Sequence, residues 1–299
     1  MESHSCLKKV GRRWMPRICS SIMLLLAVQT ARSQDQNRAL QLYQSTQYRK
    51  SLDILLPNVQ KDAATFELIG KNYFMVGEYK KAIEALSEAN TREPNNAGYA
   101  DWLARAYGRK AESGGMTAPS YAIKAGHLFE QSVALDPFDR QALSDLLTFY
   151  IKAPEMLGGG IKKAEELALH IAQIDPSEGH YAQAQIQEKR KDYDSAERQL
   201  RLAWKLSPEN PTRAMDLAIF LSTHGRFNES EAIFEQVSNM AADHPGLLFE
   251  RANAYIRAHR NLEEAKRLLE RYIGSQLTPD DPPREQAELL LKKTRVCCL

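Results

Sequence analysis

The sequence predicts an all-α protein, an α-solenoid of antiparallel helical hairpins. From Gln34 onward, apolar residues recur at the spacing of amphipathic helices, and no stretch shows the alternation typical of a strand. Prolines punctuate this pattern, and each is expected to close a helical segment because proline lacks an amide hydrogen and restricts the residue before it. These prolines are Pro94, Pro137, Pro176, Pro208, Pro245 and Pro279. Their intervals of 32 to 43 residues are typical of stacked helical hairpins.

The composition excludes several other classes of protein. The chain has 299 residues, of which 43% are apolar and 26% are charged, and this balance argues against a disordered chain. A formal net charge of +2 gives no reason to expect nucleic acid as a partner. Four cysteines in a chain of this length are too few for a disulfide scaffold.

Residues 1–33 have the features of a signal peptide. Six basic side chains stand here against one acidic one, and an apolar run follows at residues 18–28. A run of this length is too short to span a bilayer, which takes about twenty residues, but it suits the apolar region of a secretory signal. Ala31 and Ser33 provide the small residues of a cleavage site. We therefore expect cleavage between Ser33 and Gln34, and a periplasmic or secreted bacterial protein.

Alternatives to this interpretation stay open. The apolar run could persist as an uncleaved anchor, or translation could start at Met15. Arg12 and Arg13 faintly resemble a twin-arginine export signal, although Pro16 stands where that signal usually has an apolar residue. Cys19 does not predict a lipid anchor, because the small residue that normally precedes a modified cysteine is missing.

The clearest hairpin occupies residues 63–96. Gly70 and Ala82 would let two helix backbones approach closely, while larger apolar residues fill the space around them. Gly77 opens the turn between the two helices. The apolar stripes consist of Phe66, Ile69, Gly70 and Tyr73 in the first helix and Tyr79, Ala82, Leu86 and Ala89 in the second. This arrangement of large and small residues resembles the tetratricopeptide repeat at every signature position of that motif.

Less regular units continue the pattern on both sides of this hairpin. They are predicted at residues 97–139, 140–178, 179–210, 211–245 and 246–279, with a degenerate first hairpin at residues 34–62. A last helix at residues 280–295 follows acidic residues and prolines, which suit a helix start, and it has the polar outer face that a terminal cap requires. The prediction is one continuous array of about six to seven repeats, closed by this capping helix and a tail at residues 296–299.

Two insertions interrupt the spacing, one between residues 107 and 125 and one between residues 150 and 164. The second brings together Gly158, Gly159, Gly160, Lys162 and Lys163 at the start of a helix. Free amides and positive charge could converge there on a phosphate or a carboxylate. The segment is not a nucleotide P-loop, because no strand precedes it and the Gly-Lys-Ser/Thr ending is absent. The alternative is that the glycines simply form a longer turn.

No catalytic or metal-binding motif stands out. The seven histidines include no pair at the i,i+4 spacing of a helical metal site, and neither Cys-x-x-Cys nor Gly-x-Ser-x-Gly occurs. Cys297 and Cys298 lie at the chain end, but Val296 occupies the position where prenylation needs its cysteine. We therefore expect a non-enzymatic protein that uses no cofactor and no metal.

The resemblance implies a concave groove lined by the first helix of each hairpin, in which proteins of this family bind peptides or partner proteins. Carried over by position, the groove residues are Glu67, Lys71, Phe74, Asp101, Arg105, Ser144, Thr148, Gln183, Gln187, Met215 and Ile219. One subgroup clamps a carboxylate with a lysine and an asparagine of its first helix. Glu67 and Lys71 stand at those two positions here, so this specificity is not supported.

Three hypotheses about function follow. The first is an exported, non-enzymatic scaffold of the bacterial envelope that holds a peptide or a partner protein of unknown identity. The second is an enzyme or enzyme subunit that binds an anionic or phosphorylated ligand at the turn of residues 158–163. The third is a cytosolic adaptor whose start is misread. Because residues 1–33 hold the basic excess, the remainder is slightly acidic, and we expect neither a nucleic-acid partner nor a membrane span in it.

Overall fold

The computed structural model describes residues 34–296, with side chains described through Thr294. The described part of the chain is helical and contains no strand. Its helices are α1 (34–44), α2 (Tyr48–Leu55), α3 (Ala63–Met75), α4 (Tyr79–Arg92), α5 (Ala97–Glu112), α6 (Ala118–Leu135), α7 (Arg140–Lys152), α8 (Ile161–Ile174), α9 (Pro176–Arg190), α10 (Tyr193–Leu206), α11 (Pro211–Thr223), α12 (Phe227–Ala241), α13 (Pro245–Arg257), α14 (Leu262–Gly274) and α15 (Arg284–Val296). A short 3₁₀-helix, Glu155–Leu157, precedes α8. The predicted signal peptide, and the predicted tail beyond Val296, lie outside the described residues.

The helices pack in the order of the chain. Hairpins form between α3 and α4, α5 and α6, α9 and α10, α11 and α12, and α13 and α14, and the second helix of one hairpin packs on the first helix of the next. The final helix α15 packs on α14 and α13. Buried apolar side chains accordingly form a series of clusters along the array, shared by helices that are neighbours in the chain. This neighbour-to-neighbour packing is that of an α-solenoid, which confirms the predicted fold class.

Many helices begin at a polar residue that caps the first turn. The side-chain oxygen of Asp62 accepts a hydrogen bond from the amide of Thr65 at 2.8 Å. Such a bond satisfies an amide that has no partner inside the helix. The same kind of cap is made by Asp62, Asn96, Asp139, Asp175, Asp192 and Asn210. The local sequence therefore encodes these six helix starts.

Two of the six prolines begin a helix, which differs from the role expected. Pro245 is the first residue of α13 and stands apart from the end of α12 at Ala241, so it does not close that helix. Pro176 does both: it follows directly on Asp175, the extended C-cap of α8, and it is the first residue of α9. Proline suits this position because the amide of the first turn has no partner inside the helix and the fixed φ is already helical. Asp175 alone links α8 to α9, as it ends one helix and caps the other.

The structure also differs from the prediction at the first insertion and at the start of the capping helix. Most residues of the first insertion lie within helices, since α5 has 16 residues and α6 has 18. The capping helix begins at Arg284 rather than at residue 280. Asp281 stays in the preceding loop, where its carboxylate accepts hydrogen bonds from the amide and the hydroxyl of Thr278, both at 2.9 Å. These hydrogen bonds stabilise the loop before α15, so that residues 278–281 are not part of the helix.

Small side chains lie where the two helices of a hairpin cross. A Cβ atom on Gly70 would lie 2.4 Å from Cγ of the fully buried Leu86, so only glycine fits there without a shift. Ala82 is fully buried on the facing helix. Elsewhere, buried serines bond to the partner helix, as Ser230 Oγ does in donating to the carbonyl of Ala218 at 2.7 Å. Close backbone approach thus depends on small residues in this array.

Candidate functional site

The first helices of the hairpins line the inner side of the curved array. In addition to their neighbours in the chain, α3 contacts α5, α5 contacts α7, α7 contacts α9, and α11 contacts α13. In a curved stack, helices that also meet their next-but-one neighbours lie on the shorter, concave side. We call this concave face the groove. Its position agrees with the one that the family resemblance implies.

Nine of the eleven predicted groove residues reach the surface, and two do not. Ser144 is exposed, and eight others are partly exposed: Glu67, Lys71, Phe74, Arg105, Thr148, Gln183, Gln187 and Ile219. Asp101 and Met215 are only 5% and 6% exposed. Met215 packs in the core cluster shared by α9 to α13, and Asp101 is covered as part of an ion-pair network. These two side chains are therefore not available to a partner, and the prediction was wrong for them.

A charged and aromatic network joins α3, α5 and α7 in the groove. Lys71 pairs with Glu67 at 2.5 Å, and its ammonium lies 5.0 Å from the centre of the Trp102 ring. The guanidinium of Arg105 lies over the same ring, at 4.5 Å. Arg105 also contacts carboxylates on two helices, with 2.9 Å from Nε to Asp101 and 2.5 Å from a terminal nitrogen to Asp145. Trp102 and Asp145 thus belong to the site, although sequence reasoning did not place them there.

Beside this network lies a cavity of about 450 Å³, which we call the groove cavity. Its residues come from α3, α5, α6, α7 and the segment that follows α7: Phe74, Arg105, Gly108, Arg109, Ala111, Glu112, Ala122, Phe129, Gln141, Asp145, Thr148, Phe149, Lys152, Ala153 and Pro154. Phenylalanine rings supply much of the apolar wall, and charged side chains supply the rim. Lys152 is exposed and makes no ion pair with any other described residue. The cavity therefore combines an apolar interior with an unpaired positive charge.

The glycine-rich turn supports the wall of the groove cavity. A Cβ atom on Gly126 would lie 2.6 Å from the Phe149 ring, and one on Gly158 would lie 3.7 Å from it. At Gly159, a Cβ atom would lie only 1.9 Å from the carbonyl oxygen of Ala153, so the backbone here passes directly over the end of α7. The second insertion thus lies beside Phe149 at the wall of the groove cavity, a position that the sequence alone did not indicate.

The three glycine amides of the same turn are not free to bind an anion. The amides of Gly158, Gly159 and Gly160 all donate hydrogen bonds to backbone carbonyls of residues 150–155. Lys163 donates to Glu130 at 3.0 Å and to the carbonyl of Gly158 at 3.1 Å. Lys162 is exposed on the first turn of α8. The glycines therefore serve the turn itself, and an anion here would be left with the first-turn amides of α8, which has no side-chain cap, and with Lys162.

A second ion-pair network is buried between α9 and α11. Arg213 is 8% exposed, and its guanidinium lies 4.1 Å from the centre of the Tyr181 ring. It pairs with Glu178 at 3.1 Å and with Asp216 at 2.8 Å. One guanidinium thus faces two carboxylates, as Arg105 does in the first network. In each network a single positive charge is shared by two acids.

Burial raises the pKa of one acid in each network. Burial raises the pKa of Asp216 to about 7, with the carboxylates of Glu178 and Glu250 adding to the rise and Arg213 opposing it. Burial likewise raises the pKa of Asp101 to about 7, against the opposing effect of Arg105. Desolvation disfavours the charged carboxylate, and a guanidinium that already faces another acid compensates only in part. Both aspartates therefore titrate near neutral pH in the folded protein.

The stability of the protein is expected to fall between about pH 4 and pH 7 because of these two aspartates. An acid whose pKa is higher in the folded state binds more protons there than in the unfolded state, so raising the pH across this window costs stability. Urea unfolding would measure the free energy of unfolding at pH 5 and at pH 8. Its decrease from pH 5 to pH 8 should be smaller for the double variant Asp101→Asn/Asp216→Asn than for the wild type. An equal drop in both proteins would contradict the raised pKa values.

Two other kinds of feature are absent from the described residues. Within residues 34–296, no group of three or more His, Cys, Asp or Glu side chains is arranged to hold a metal ion. No helix in the same range combines the length and the apolar character needed to cross a bilayer.

The chain is similar to known proteins in its fold and in one part of its sequence. The packing defines an α-solenoid of helical hairpins, and residues 188–245 match the family model of the tetratricopeptide repeat. A tetratricopeptide repeat protein from Parabacteroides merdae ATCC 43184 is similar in structure, with a TM-score of 0.56 and 16% identity over 88% of this chain and 98% of that one. A thermophilic TPR protein of Thermus thermophilus has a TM-score of 0.51 and 18% identity over 63% of this chain and 98% of its own. No curated protein matches the chain in sequence. The chain thus has the fold of tetratricopeptide repeat proteins and carries the repeat in its sequence.

Proposed function

We propose that this protein is a non-enzymatic scaffold that binds a segment of a partner protein in its groove. The repeat and the fold suggest protein–protein interaction. The observation that carries the proposal is the groove cavity, since a concave, largely apolar pocket with a few polar groups on its rim is the usual form of a binding site. The cavity offers space for an apolar side chain of the partner, and Lys152 on its rim offers a counter-charge for a neighbouring carboxylate.

Other groove side chains suit the backbone of the same segment. Ser144, Thr148, Gln183 and Gln187 are uncharged, and their hydroxyl and amide groups can both donate and accept hydrogen bonds. A row of such groups on α7 and α9 can bond to the amides and carbonyls of an extended chain. The proposal therefore assigns side-chain selection to the groove cavity and backbone contacts to the middle of the groove.

The cellular setting is part of the proposal and rests on sequence alone. Residues 1–33 support export, with cleavage between Ser33 and Gln34, and a role in the bacterial envelope. The alternative of an anionic ligand at residues 158–163 is weakened, because the glycine amides are bonded within the turn and only the first turn of α8 and Lys162 are left for it.

Filling the groove cavity is expected to weaken peptide binding. Peptides that bind the full chain would be selected from a random library of segments about 12 residues long, enough for an extended chain to follow several helices of the groove. Their dissociation constants would be measured by fluorescence anisotropy. Thr148 is half-buried and lines the cavity, so Thr148→Trp should raise the dissociation constant roughly tenfold or more, which corresponds to about 1.4 kcal/mol. Lys152→Glu should weaken the peptides that carry an acidic residue and leave the others unchanged.

A matched control separates cavity filling from a general effect of tryptophan. Thr91 is exposed on the second helix α4, so Thr91→Trp should leave binding unchanged. The proposal fails if no library peptide binds, or if the bound peptides respond equally to Thr91→Trp and Thr148→Trp.

A further inference from the structure

The two ends of the described array come close to each other. The turn between α1 and α2 and the loop between α14 and α15 line one cavity of about 370 Å³. Gln47 and Tyr48 stand on one side of it, and Asp281, Arg284 and Glu285 stand on the other. We call this gap the seam. Because its sides belong to opposite ends of the described array, the array bends far enough to bring these ends together.

The electrostatic surroundings of two tyrosines agree with this closeness. The rings of Tyr43 and Tyr48 lie 5.6 Å apart, and burial raises the pKa of both phenols. The carboxylate of Asp280, from the far end of the array, adds to the rise at both tyrosines. Groove residues Glu67 and Arg105 also act on Tyr43. Charges act strongly only over about 8 Å in physiological salt, which agrees with α1, the groove and the far loop lying near one another.

The seam is held far less firmly than the contacts within the array. No hydrogen bond or ion pair joins its two sides among residues 34–294. Each side is bonded within itself: Asp281 accepts from Thr278, and Gln47 bonds to Ser45 at 3.2 Å and to Lys50 at 2.9 Å. By contrast, neighbouring hairpins share buried apolar clusters. Opening the array would therefore cost least at the seam.

We propose that the array forms a ring around the groove, closed at the seam, and that the groove admits an extended segment of a partner rather than a folded domain unless the seam opens. The segment enters either by threading a free end or by passing through the opened seam. The nature of the partner rests on the proposed function, whereas the closure of the ring does not.

Crosslinking across the seam tests the closure without any partner. In the full chain, Cys6, Cys19, Cys297 and Cys298 would be replaced by serine. Gln47→Cys and Glu285→Cys would then be added, since both positions are exposed and line the seam. A flexible bismaleimide should join them within one molecule in high yield, as mass spectrometry of the digested protein would show. Gln47→Cys with His127→Cys, an exposed position on α6 two hairpins away, should give no such crosslink. If both seam cysteines react singly but never join, the ring is overturned.

Peptides with blocked ends test the enclosure of the groove. A library peptide that binds the wild type would be fused to a folded domain at one end or at both ends. The crosslinked protein should bind the singly fused peptide normally and the doubly fused peptide at least roughly tenfold more weakly, whereas the open protein should bind both. Equal binding of the doubly fused peptide to the crosslinked protein overturns the enclosure. If the crosslink forms but no peptide binds either form, the partner assignment fails together with the proposed function, while the ring stands.

Discussion

Replacing Arg213 with methionine is expected to lower the free energy of unfolding by about 3–5 kcal/mol at pH 8. Methionine keeps much of the apolar contact with Tyr181 but removes the positive charge that Glu178 and Asp216 share. Breaking a buried ion pair on one side leaves an uncompensated charge in a poorly solvated place, and such changes have costs of this size. The measurement is urea unfolding followed by circular dichroism, with wild type and variant compared under the same conditions.

The pH and a second substitution make this prediction specific. The deficit should be smaller at pH 5, where Asp216 can take up a proton, and adding Asp216→Asn to the methionine variant should recover part of the loss at pH 8. Arg267→Met is the matched control, because Arg267 is 70% exposed and pairs with Glu264 at the surface. Its cost should stay within about 1 kcal/mol. A similar loss for both arginines would contradict the special role of the buried network.

The substitution Gly179→Ala is expected to destabilise the protein by an amount near the upper end of about 1–3 kcal/mol, the usual range for overpacking. A Cβ atom on Gly179 would lie 2.6 Å from Cα and 3.1 Å from the amide nitrogen of Ala172 on α8. These are backbone atoms, and they cannot turn away as a flexible side chain can. Since only Asp175 links α8 to α9, the two helices cannot move apart near this link to relieve the contact. Thermal and urea unfolding would measure the effect.

Gly108→Ala provides the opposite control. Gly108 also lies inside a helix, but a Cβ atom there would meet nothing within 4 Å. Alanine restricts the unfolded chain more than glycine does, so this change should raise the free energy of unfolding by about 0.5–1 kcal/mol. If the two glycine variants shifted stability in the same direction, the close approach of α8 and α9 would be refuted.

Much of the fold could be predicted from sequence because each hairpin is encoded locally. The glycine at position 70 and the alanine at position 82 mark a helix crossing, and capping residues such as Asp62 mark the helix starts. Pro176 and Pro245 were harder to interpret, since proline suits both the first turn of a helix and the loop after one. Which of the two positions a proline takes depends on the length of the link between the helices. A one-residue link such as Asp175 does not interrupt the helical spacing of the apolar residues, so the sequence does not reveal it.

The site was less predictable because its shape depends on how helices cross. Position along the first helix predicted that Arg105 and Thr148 reach the surface, and both are partly exposed. It could not show that Met215 is covered by neighbouring hairpins. The groove cavity also depends on Phe129, which lies on a second helix, and on Phe149, which fits against Gly126 of α6. Contacts between side chains from different helices are set by tertiary packing, so no spacing within one helix reveals them.

The neighbour-to-neighbour packing of the helices has a consequence for how this molecule could report binding. Because each hairpin is positioned only by the ones beside it, a small change in crossing angle at one junction is passed on unchanged to all that follow. Small rotations at successive junctions therefore add up along the array. The summed rotation is greatest between the first and last helices. A change of crossing angle at any hairpin would therefore alter the width of the seam.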